Sequence, residues 1–307
     1  MMEYNNSISK LTLGTVQLGL NYGIANNEGK PDEEKAFRIL DSALASGVNC
    51  IDTAADYGDS EKVIGKYLSA YKIRRSDISI VTKFQLGKIS ASDVEIVMMR
   101  SVEKSLKNLN TDYLDILLIH NAKEYSTFGN KITKVYENLL DKGVIKLAGA
   151  SCYEFDEIEV MLENDIYHAF QIPVNMLDMR ITKGDGARRL QNKLVFARSV
   201  FLQGLFYLNP TNLKGNLKEI GKYLIKINEI AEEMNISVAQ LAVSYVKSLK
   251  YVNSLVIGAD NPEHIHENAK LIDYKPLNQG IINTIEDKLN GAPNWLFTPA
   301  VWDRQKE

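Results

Sequence analysis

Short runs of apolar residues alternate along the chain with longer stretches in which apolar residues recur at helical spacing. Residues 113–119 form a nearly unbroken apolar run bounded by polar residues, which is typical of a strand buried on both faces. Residues 92–109 instead have the spacing of an amphipathic helix, and another helix opens at Pro31 with acids in its first turn. The pattern therefore predicts strands and helices in regular alternation.

Eight strands are predicted in this way. They comprise residues 10–18, 48–51, 78–82, 113–119, 144–150, 169–174, 194–197 and 252–257. Further helices are expected at residues 60–68, 92–109, 131–140, 155–162, 217–234, 238–249 and 262–271, with a last one at 278–289. Such alternation favours parallel pairing with right-handed crossovers. Eight such units predict an α/β fold of the (β/α)₈ or TIM-barrel type.

A doubly wound sheet is the alternative arrangement of these units. It would place a glycine-rich phosphate turn after the first strand. The glycines of residues 14–19 have the wrong spacing for that turn, and Gly184-Asp185-Gly186 is a weak match more typical of a loop. No linker or low-complexity tract divides the chain. We therefore expect one domain over residues 1–307, with a barrel core at about 10–275 and a C-terminal helix and tail at 276–307.

Composition narrows the range of partners. The 307 residues are 45% hydrophobic and 24% charged, with a net charge of −3, so neither nucleic acid nor an anionic membrane is expected as a partner. The first residues lack the apolar segment of a signal peptide, and no apolar run approaches the ~20 residues of a membrane span. Cys50 and Cys152 are expected to be free thiols in a reducing, cytoplasmic compartment. With four scattered histidines they form no zinc signature, and no metal site is expected.

Four side chains that can move or orient a proton stand where predicted strands give way to loops, namely Asp52, Tyr57, Lys83 and His120. In a parallel barrel these strand ends converge on one mouth. The ordinary pKa of tyrosine is near ~10, and a Lys83 ammonium held and kept charged by Asp52 would lower it.

Each of these residues alone is more often a cap or a solvated rim residue. Four of them at consecutive strand ends instead predict a proton donor aimed at a developing alkoxide. No side chain supplies a hydride, so a nicotinamide cofactor is expected.

Several motifs surround these positions in a fixed order. They are Leu13-Gly14-Thr15, Asn49-Cys50-Ile51-Asp52-Thr53-Ala54 with Tyr57-Gly58, Val81-Thr82-Lys83, Asp112-Tyr113-Leu114-Asp115 with Leu118-Ile119-His120, Gly143-Val144-Ile145 with Gly149-Ala150-Ser151, Gln203-Gly204-Leu205, and Val256-Ile257-Gly258-Ala259 with Glu267-Asn268. From about Leu11 to Ile272 the chain thereby resembles the aldo-keto reductase family.

The resemblance implies a (β/α)₈ barrel that binds NAD(P)H in extended form across its mouth and reduces carbonyl compounds reversibly. It implies that Tyr57 is the general acid and that Lys83 and Asp52 tune it. It also implies that His120 orients the carbonyl group of the substrate.

The same resemblance implies which residues bind the cofactor. They are Thr15, Ser151, Gln171, Arg198, Ser199, Phe201, Gln203, Gly258, Ala259, Asp260, His264, Glu267 and Asn268. Ser151 and Gln171 match the positions that hold the nicotinamide carboxamide, while Cys152 stands where the family usually has Asn. Arg198 falls where a Tyr often stacks on the nicotinamide. A guanidinium plane can also stack, but its charge disfavours the oxidised, cationic ring.

The rest of the cofactor is expected to follow the same order of motifs. The pyrophosphate is expected along Ser199, Phe201 and Gln203, the adenosine loop at Gly258 and Ala259, and the adenine at Glu267 and Asn268. The 2′-phosphate site departs most from the family pattern, because Asp260, Asn261 and His264 stand where Lys or Arg is frequent. NADP(H) is therefore the expected cofactor, with NAD(H) as the open alternative.

Amide side chains are frequent just past the predicted strand ends. They are Gln17, Gln85, Asn121 and Asn175. An amide both donates and accepts hydrogen bonds, which suits vicinal hydroxyl groups, and Trp295 or Trp302 in the tail can offer a stacking face. These residues predict a small, sugar-like carbonyl substrate. The alternative is that the amides are ordinary loop residues, that Gln17 supports the barrel floor and that the tryptophans only dock the tail.

Two other functions stay open at this point. The first is a non-catalytic, NAD(P)H-binding regulatory subunit of the same fold, as in some channel complexes. The second is a metal-dependent barrel enzyme, which needs clustered His and carboxylate ligands. No carboxylate partner is evident for His168, expected before strand six, for His264, or for His266, expected on an exposed helix face. The oligomeric state, monomer or homo-oligomer, is undetermined.

Overall fold

Eight parallel strands close into a barrel in which each strand pairs with its neighbours in sequence and the last pairs with the first. The computed structural model describes residues 7–23, 26, 29–181 and 185–302. The strands are β1 (Leu11–Gly14), β2 (Cys50–Asp52), β3 (Ser79–Phe84), β4 (Leu114–Ile119), β5 (Ile145–Ser151), β6 (Tyr167–Pro173), β7 (Leu194–Arg198) and β8 (Ser254–Gly258). The predicted (β/α)₈ barrel is confirmed.

Helices surround this barrel. They are α1 (Val16–Gly19), α2 (Glu33–Ala45), α3 (Ser60–Ala70), α4 (Val94–Leu109), α5 (Lys123–Asp141), α6 (Phe155–Leu162), α7 (Gly186–Arg189), α8 (Gly221–Glu233), α9 (Val238–Ser248), α10 (Pro262–Asp273) and α11 (Gln279–Leu289). Short 3₁₀ turns lie at Arg75–Asp77, Leu202–Tyr207, Pro210–Asn212, Gly215–Ile220, Asn294–Phe297 and Pro299–Val301.

Apolar side chains fill both sides of the strands. The barrel interior holds one buried cluster, formed by Cys50, Val81, Ile116, Leu118, Leu147, Ala169 and Phe196. A larger cluster joins the outer face of the strands to the helices. In β4, Ile116 and Leu118 belong to the inner cluster, whereas Leu117 and Ile119 belong to the outer one. This division explains why the apolar run of β4 is unbroken.

Several element boundaries differ from the predicted ones, and two of them bear on the site. β1 ends at Gly14, and the chain turns into α1 after the Thr15 amide donates to Asp52 O at 3.0 Å. α5 begins at Lys123 instead of residue 131, because Asn121 Oδ1 accepts from Lys123 N at 3.2 Å and opens the helix with a polar turn. The partly exposed His168 lies inside β6 and not before it.

A charge cluster holds the amino ends of three strands together. Asp115, fully buried at the start of β4, accepts from Arg75 Nη2 at 2.6 Å, from Lys146 Nζ at 2.9 Å and from Ile80 N at 3.0 Å. Both cations also lie over the Tyr113 ring. This end of a barrel serves stability, and the opposite end carries the predicted site.

The C-terminal segment packs against the helices of the barrel. Trp302 is buried, and its Nε1 donates to Leu296 O at 2.9 Å. Trp302 therefore docks the tail, which was one of the two interpretations drawn from sequence.

Both cysteines are buried free thiols, as expected. In the part of the chain that the structure describes, no helix is long and apolar enough to span a bilayer.

Candidate active site

The carboxyl ends of β2 and β3 bring a buried ion pair to the mouth of the barrel. Lys83 Nζ donates to Asp52 Oδ1 at 2.8 Å, to Asp52 Oδ2 at 2.9 Å and to Thr53 O at 2.9 Å. These three acceptors match the three hydrogens of an ammonium group. The predicted pairing of Asp52 with Lys83 is thus present, because β2 and β3 are neighbours in the barrel.

Tyr57 lies beside this pair, with Lys83 Nζ 4.9 Å from the centre of its ring. Burial raises the pKa of Tyr57 well above 10, the charge of Asp52 raises it further, and Arg198 opposes both effects. The prediction of a pKa below the ordinary value is therefore wrong, because burial and the charge of Asp52 outweigh the neighbouring cations. Tyr57 is held as a protonated phenol, which is a proton donor.

Two glycines fix the loop that carries Tyr57. Gly19, at the end of α1, packs so closely on this loop that a Cβ atom there would lie 1.7 Å from Tyr57 O. A Cβ atom on Gly58 would lie 2.5 Å from Gly19 O, and Gly58 has a φ of +55°. The backbone at Gly19 therefore packs directly on the backbone of the loop that carries Tyr57. A side chain at Gly19 or Gly58 would displace this loop and push Tyr57 away from Lys83.

His120 follows β4 and pairs with a residue that the sequence analysis missed. Its Nδ1 lies 3.0 Å from Asp56 Oδ1, and its ring packs edge to face on Tyr57 with centroids 5.6 Å apart. Burial alone would raise the pKa of Asp56, but the hydrogen bond and charge of His120 outweigh it and the pKa is lowered. A second carboxylate in the loop of Asp52 and Tyr57 was the available signal.

A cavity of about 1330 Å³ opens from Asp52, Tyr57 and His120 and extends to α10. It exceeds the ~300–1,000 Å³ typical of a pocket for one small ligand, so it has room for a dinucleotide and a substrate. Its lining includes twelve of the thirteen predicted cofactor residues, namely Thr15, Ser151, Gln171, Arg198, Ser199, Phe201, Gln203, Gly258, Asp260, His264, Glu267 and Asn268. The exception, Ala259, is buried.

Two of these residues serve the frame of the cavity. Thr15 Oγ1 donates to Asp52 O at 2.8 Å and accepts from Ser60 Oγ at 2.7 Å, so its hydroxyl proton is not available to a ligand. Gln171 Nε2 donates to Asp52 Oδ1 at 2.7 Å, which leaves Oε1 for a ligand. Cys152, expected near the carboxamide, lies outside the cavity lining, and burial raises the pKa of its thiol well above 9.

The residues present fit a nicotinamide dinucleotide. Gln17 Oε1 is buried in the cavity wall against Gly258 and has no hydrogen-bond partner among the described residues. Ser199, Leu202 and Gln203 have φ values of +62°, +47° and +55°. Non-glycine residues in this region cost about 1–3 kcal/mol each and are common in ligand clamps. Such a segment suits the central part of an extended cofactor.

The predicted substrate residues divide into two groups. Gln17, Gln85 and Asn121 line the cavity. Asn175 does not, because its Oδ1 accepts from Leu177 N and Asp178 N while its Nδ2 donates to Ser199 O at 3.1 Å. Asn175 therefore organises a loop, and its assignment as a substrate residue is wrong.

The tail contributes differently from the prediction. Trp295 packs against the hydrophobic core and is absent from the cavity lining, so its predicted place at the substrate is also wrong. Thr298, Pro299 and Ala300 reach the cavity instead.

Aromatic residues that sequence reasoning missed surround the cavity. Tyr153 lines it and stacks on Arg198, whose Cζ lies 4.2 Å from the ring centroid. Tyr22 receives a hydrogen bond from Gln203 Nε2 at 3.0 Å. No motif marked these tyrosines, because only the closed barrel brings their loops together. His, Cys, Asp and Glu residues form no group suited to a metal ion within the described ranges.

The Aldo/keto reductase family model matches residues 10–290 of the chain. Aldo-keto reductase AKR11C1 from Bacillus halodurans, solved in a holo form, is 25% identical with a TM-score of 0.75 and covers 93% of both chains. Glycerol dehydrogenase AKR11B4 from Gluconobacter oxydans has a TM-score of 0.74, covers 96% of this chain and 97% of its own, and at 21% identity shares the fold.

Among sequence relatives, the uncharacterized oxidoreductase YqkF of Bacillus subtilis is 24% identical and covers 91% of this chain and 92% of its own. A probable voltage-gated potassium channel subunit beta of Arabidopsis thaliana is 26% identical over 95% of this chain and 98% of its own. The chain belongs to the aldo-keto reductase family, as the resemblance implied. It is an NAD(P)H-dependent oxidoreductase that acts on small carbonyl compounds.

Proposed function

We propose that the enzyme interconverts a polyhydroxylated, sugar-like carbonyl compound and its alcohol. The observation that supports this substrate class is that Gln17, Gln85 and Asn121 line the same cavity as Tyr57 and His120. Amides can donate to and accept from neighbouring hydroxyl groups. An apolar carbonyl compound would leave these groups poorly paired, which costs binding.

Tyr153 takes the place that the sequence analysis gave to Trp295. Its side chain is 41% exposed at the cavity, and Arg198 supports one face of the ring. The other face of such a ring can pack on the apolar face of a sugar. The amide side chains can hydrogen-bond the hydroxyl groups of a sugar-like compound, and the Tyr153 ring can pack against its carbon atoms.

The proposed chemistry assigns one task to each residue. A bound nicotinamide cofactor supplies or takes the hydride. Tyr57 gives its phenolic proton to the carbonyl oxygen, and the ammonium of Lys83 stabilises the phenolate that forms. Asp52 holds Lys83 in place through two hydrogen bonds. His120 directs a ring nitrogen at the same carbonyl oxygen.

A substrate panel tests the substrate class. Aldoses and keto-sugars should give clearly higher kcat/KM than alkyl aldehydes of equal length, because only they pair the amides. Asn121→Leu should narrow this ratio, whereas Asn175→Leu, outside the cavity, should lower stability and leave the ratio unchanged. Higher kcat/KM for hexanal than for every sugar would refute the sugar-like substrate.

The proposed cofactor preference is a weak one for NADPH, with appreciable use of NADH. Asp260 can accept from a ribose 2′-hydroxyl but repels a 2′-phosphate, and His264 offers at most a partial charge at neutral pH. Lys270 also lines the cavity, on the helix of His264, and is a cation that would compensate. We expect Asp260→Arg to shift the kcat/KM ratio toward NADPH and Lys270→Gln to shift it toward NADH.

Steady-state kinetics with the two cofactors measures this preference. A ratio of ~10³ or more in favour of NADPH, the scale of about 4 kcal/mol of differential binding, would contradict it.

The Arabidopsis relative is named as a channel subunit, which keeps a regulatory role as the second candidate. Failure to turn over any aldehyde or sugar, despite tight cofactor binding, would favour that role.

A further inference from the structure

Asp56 and His120 form a hydrogen-bonded pair at the cavity that is distinct from the Lys83–Asp52 pair. His120 Nδ1 lies 3.0 Å from Asp56 Oδ1. An ionised carboxylate only accepts hydrogen bonds, so Nδ1 carries the hydrogen in this contact. In a neutral imidazole the other nitrogen, Nε2, then carries none.

We propose that Asp56 is a positioning residue that fixes the tautomer of His120 and thereby decides which protonation state of the imidazole acts on the substrate oxygen. This inference rests on the proposed function. With Nδ1–H committed to Asp56, neutral His120 offers only an acceptor at Nε2. The imidazolium offers a donor there.

The two directions of the reaction therefore need different states of His120. In reduction the carbonyl oxygen accepts a hydrogen bond from Nε2–H, so the imidazolium is the competent form while Tyr57 supplies the proton. In alcohol oxidation the substrate O–H donates to Nε2, so the neutral ring is competent.

The groups that face His120 make Asp56 the residue to change. Asp56 approaches from the loop after β2, and Lys83 on β3 acts electrostatically on Asp56. Tyr57 presents an uncharged ring edge to face. Further titratable or charged residues line the same cavity, namely Asp52, Lys123, Glu154, Arg180, Arg198, Asp260, His264, Glu267 and Lys270. Asp56 is the carboxylate that binds the imidazole directly.

The tautomer is read by long-range ¹H–¹⁵N NMR of the ¹⁵N-histidine-labelled protein, with His120→Gln identifying the His120 signals. We expect the neutral ring of the wild type to be in the Nδ1–H form. Asp56→Asn should populate the Nε2–H form, and Asp56→Glu should restore Nδ1–H. Asp59→Asn is the matched control, because Asp59 lies in the same loop but pairs with Lys30 and Lys62 at the surface.

The kinetic readout is the pH profile of kcat/KM for reduction. Its alkaline fall should be smaller in Asp56→Asn than in the wild type, because the neutral Nε2–H ring of the variant still donates to the carbonyl oxygen. Cofactor affinity, measured by NADH fluorescence, should stay within about twofold, since neither Asp56 nor His120 is among the residues expected to bind the cofactor.

A wild-type His120 in the Nε2–H form, or an unchanged tautomer in Asp56→Asn, would overturn this inference even in a fully active enzyme. A correct tautomer shift in a protein that reduces no carbonyl compound would instead count against the proposed function alone.

Discussion

The carboxylate of Asp52 is held by three side-chain hydrogen bonds. It accepts two hydrogen bonds from Lys83 and one from Gln171. A buried ammonium and carboxylate tolerate desolvation only when they are paired and hydrogen-bonded in this way. The Lys83 ammonium and the Asp52 carboxylate are therefore fixed charges beside Tyr57. The Tyr57 phenol itself remains protonated.

The first expected outcome concerns this phenol. Tyr57→Phe should fold and bind cofactor but lose at least ~10²-fold in turnover, the lower range for removal of a positioned proton donor. Lys83→Met should lose as much or more, because it removes the charge that stabilises the phenolate and leaves Asp52 buried without its cation. Single-turnover reduction with each nicotinamide cofactor measures both losses.

Tyr67→Phe is the matched control. Tyr67 is a tyrosine of α3 whose hydroxyl lies far from this chemistry, against Asp41 Oδ1 at 3.3 Å. Near-full reduction by Tyr57→Phe would remove Tyr57 from the mechanism. A loss of similar size in Tyr67→Phe would mean that the assay reports folding and not proton donation.

At the scale of elements, α1 and the loop after β2 act as one unit. They touch through backbone atoms at Gly19 and Gly58, so there is no flexible side chain between them to absorb a change. The sequence predicted a longer β1 here, because the apolar residues Val16 and Leu18 continue its alternation. The strand ends early because Thr15, with φ −117° and ψ 15°, is no longer extended and caps α1.

We expect Gly19→Ala to reduce kcat/KM by at least about tenfold without any contact to substrate, because small displacements of a catalytic group cost this much or more. The new methyl group must displace the carbonyl group of Tyr57. Gly280→Ala in α11, where a Cβ atom meets only Asn278 Oδ1 at 3.3 Å, is the control. Steady-state kinetics and thermal melts of both variants separate a local shift from global loss of structure.

The fold could be predicted from sequence because each strand and helix carries its own periodicity. The four proposed catalytic residues could be found for the same reason, since strand ends converge in any parallel barrel. The contact between Asp56 and His120 could not be predicted, because it depends on how the loop after β2 and the loop after β4 are positioned relative to each other. Asn175 could not be separated from the cavity amides, because all of them follow strands and only the structure shows that backbone groups engage both its Oδ1 and its Nδ2.

At the scale of the whole molecule, the two ends of the barrel carry different tasks. The Asp115 cluster ties β3, β4 and β5 at one end, and the Lys83–Asp52 pair lies at the other. The proposed single domain requires both ends to unfold together. Differential scanning calorimetry should then give one transition whose calorimetric and van't Hoff enthalpies agree.

Within that transition, Asp115→Ala should destabilise the protein by about 3 kcal/mol, because it leaves two cations without their buried partner. Its kcat per folded molecule should stay near that of the wild type, since no cavity residue changes. Asp77→Ala, which removes only the exposed partner of Arg74, should cost less than about 1 kcal/mol. Two separate transitions in either variant would argue against a single domain.

The hydrogen bond from Gln171 to Asp52 limits which dinucleotides the enzyme should accept. Because the carboxylate only accepts, Gln171 must turn its NH₂ group toward Asp52 and its Oε1 toward a ligand. An oxygen in that place attracts the NH₂ of a pyridine carboxamide and repels the carboxylate of a deamidated pyridine. The enzyme should therefore not accept nicotinic acid dinucleotides, in which a carboxylate replaces the carboxamide of the cofactor. Asp52 causes this selectivity, because it fixes the orientation of the Gln171 amide.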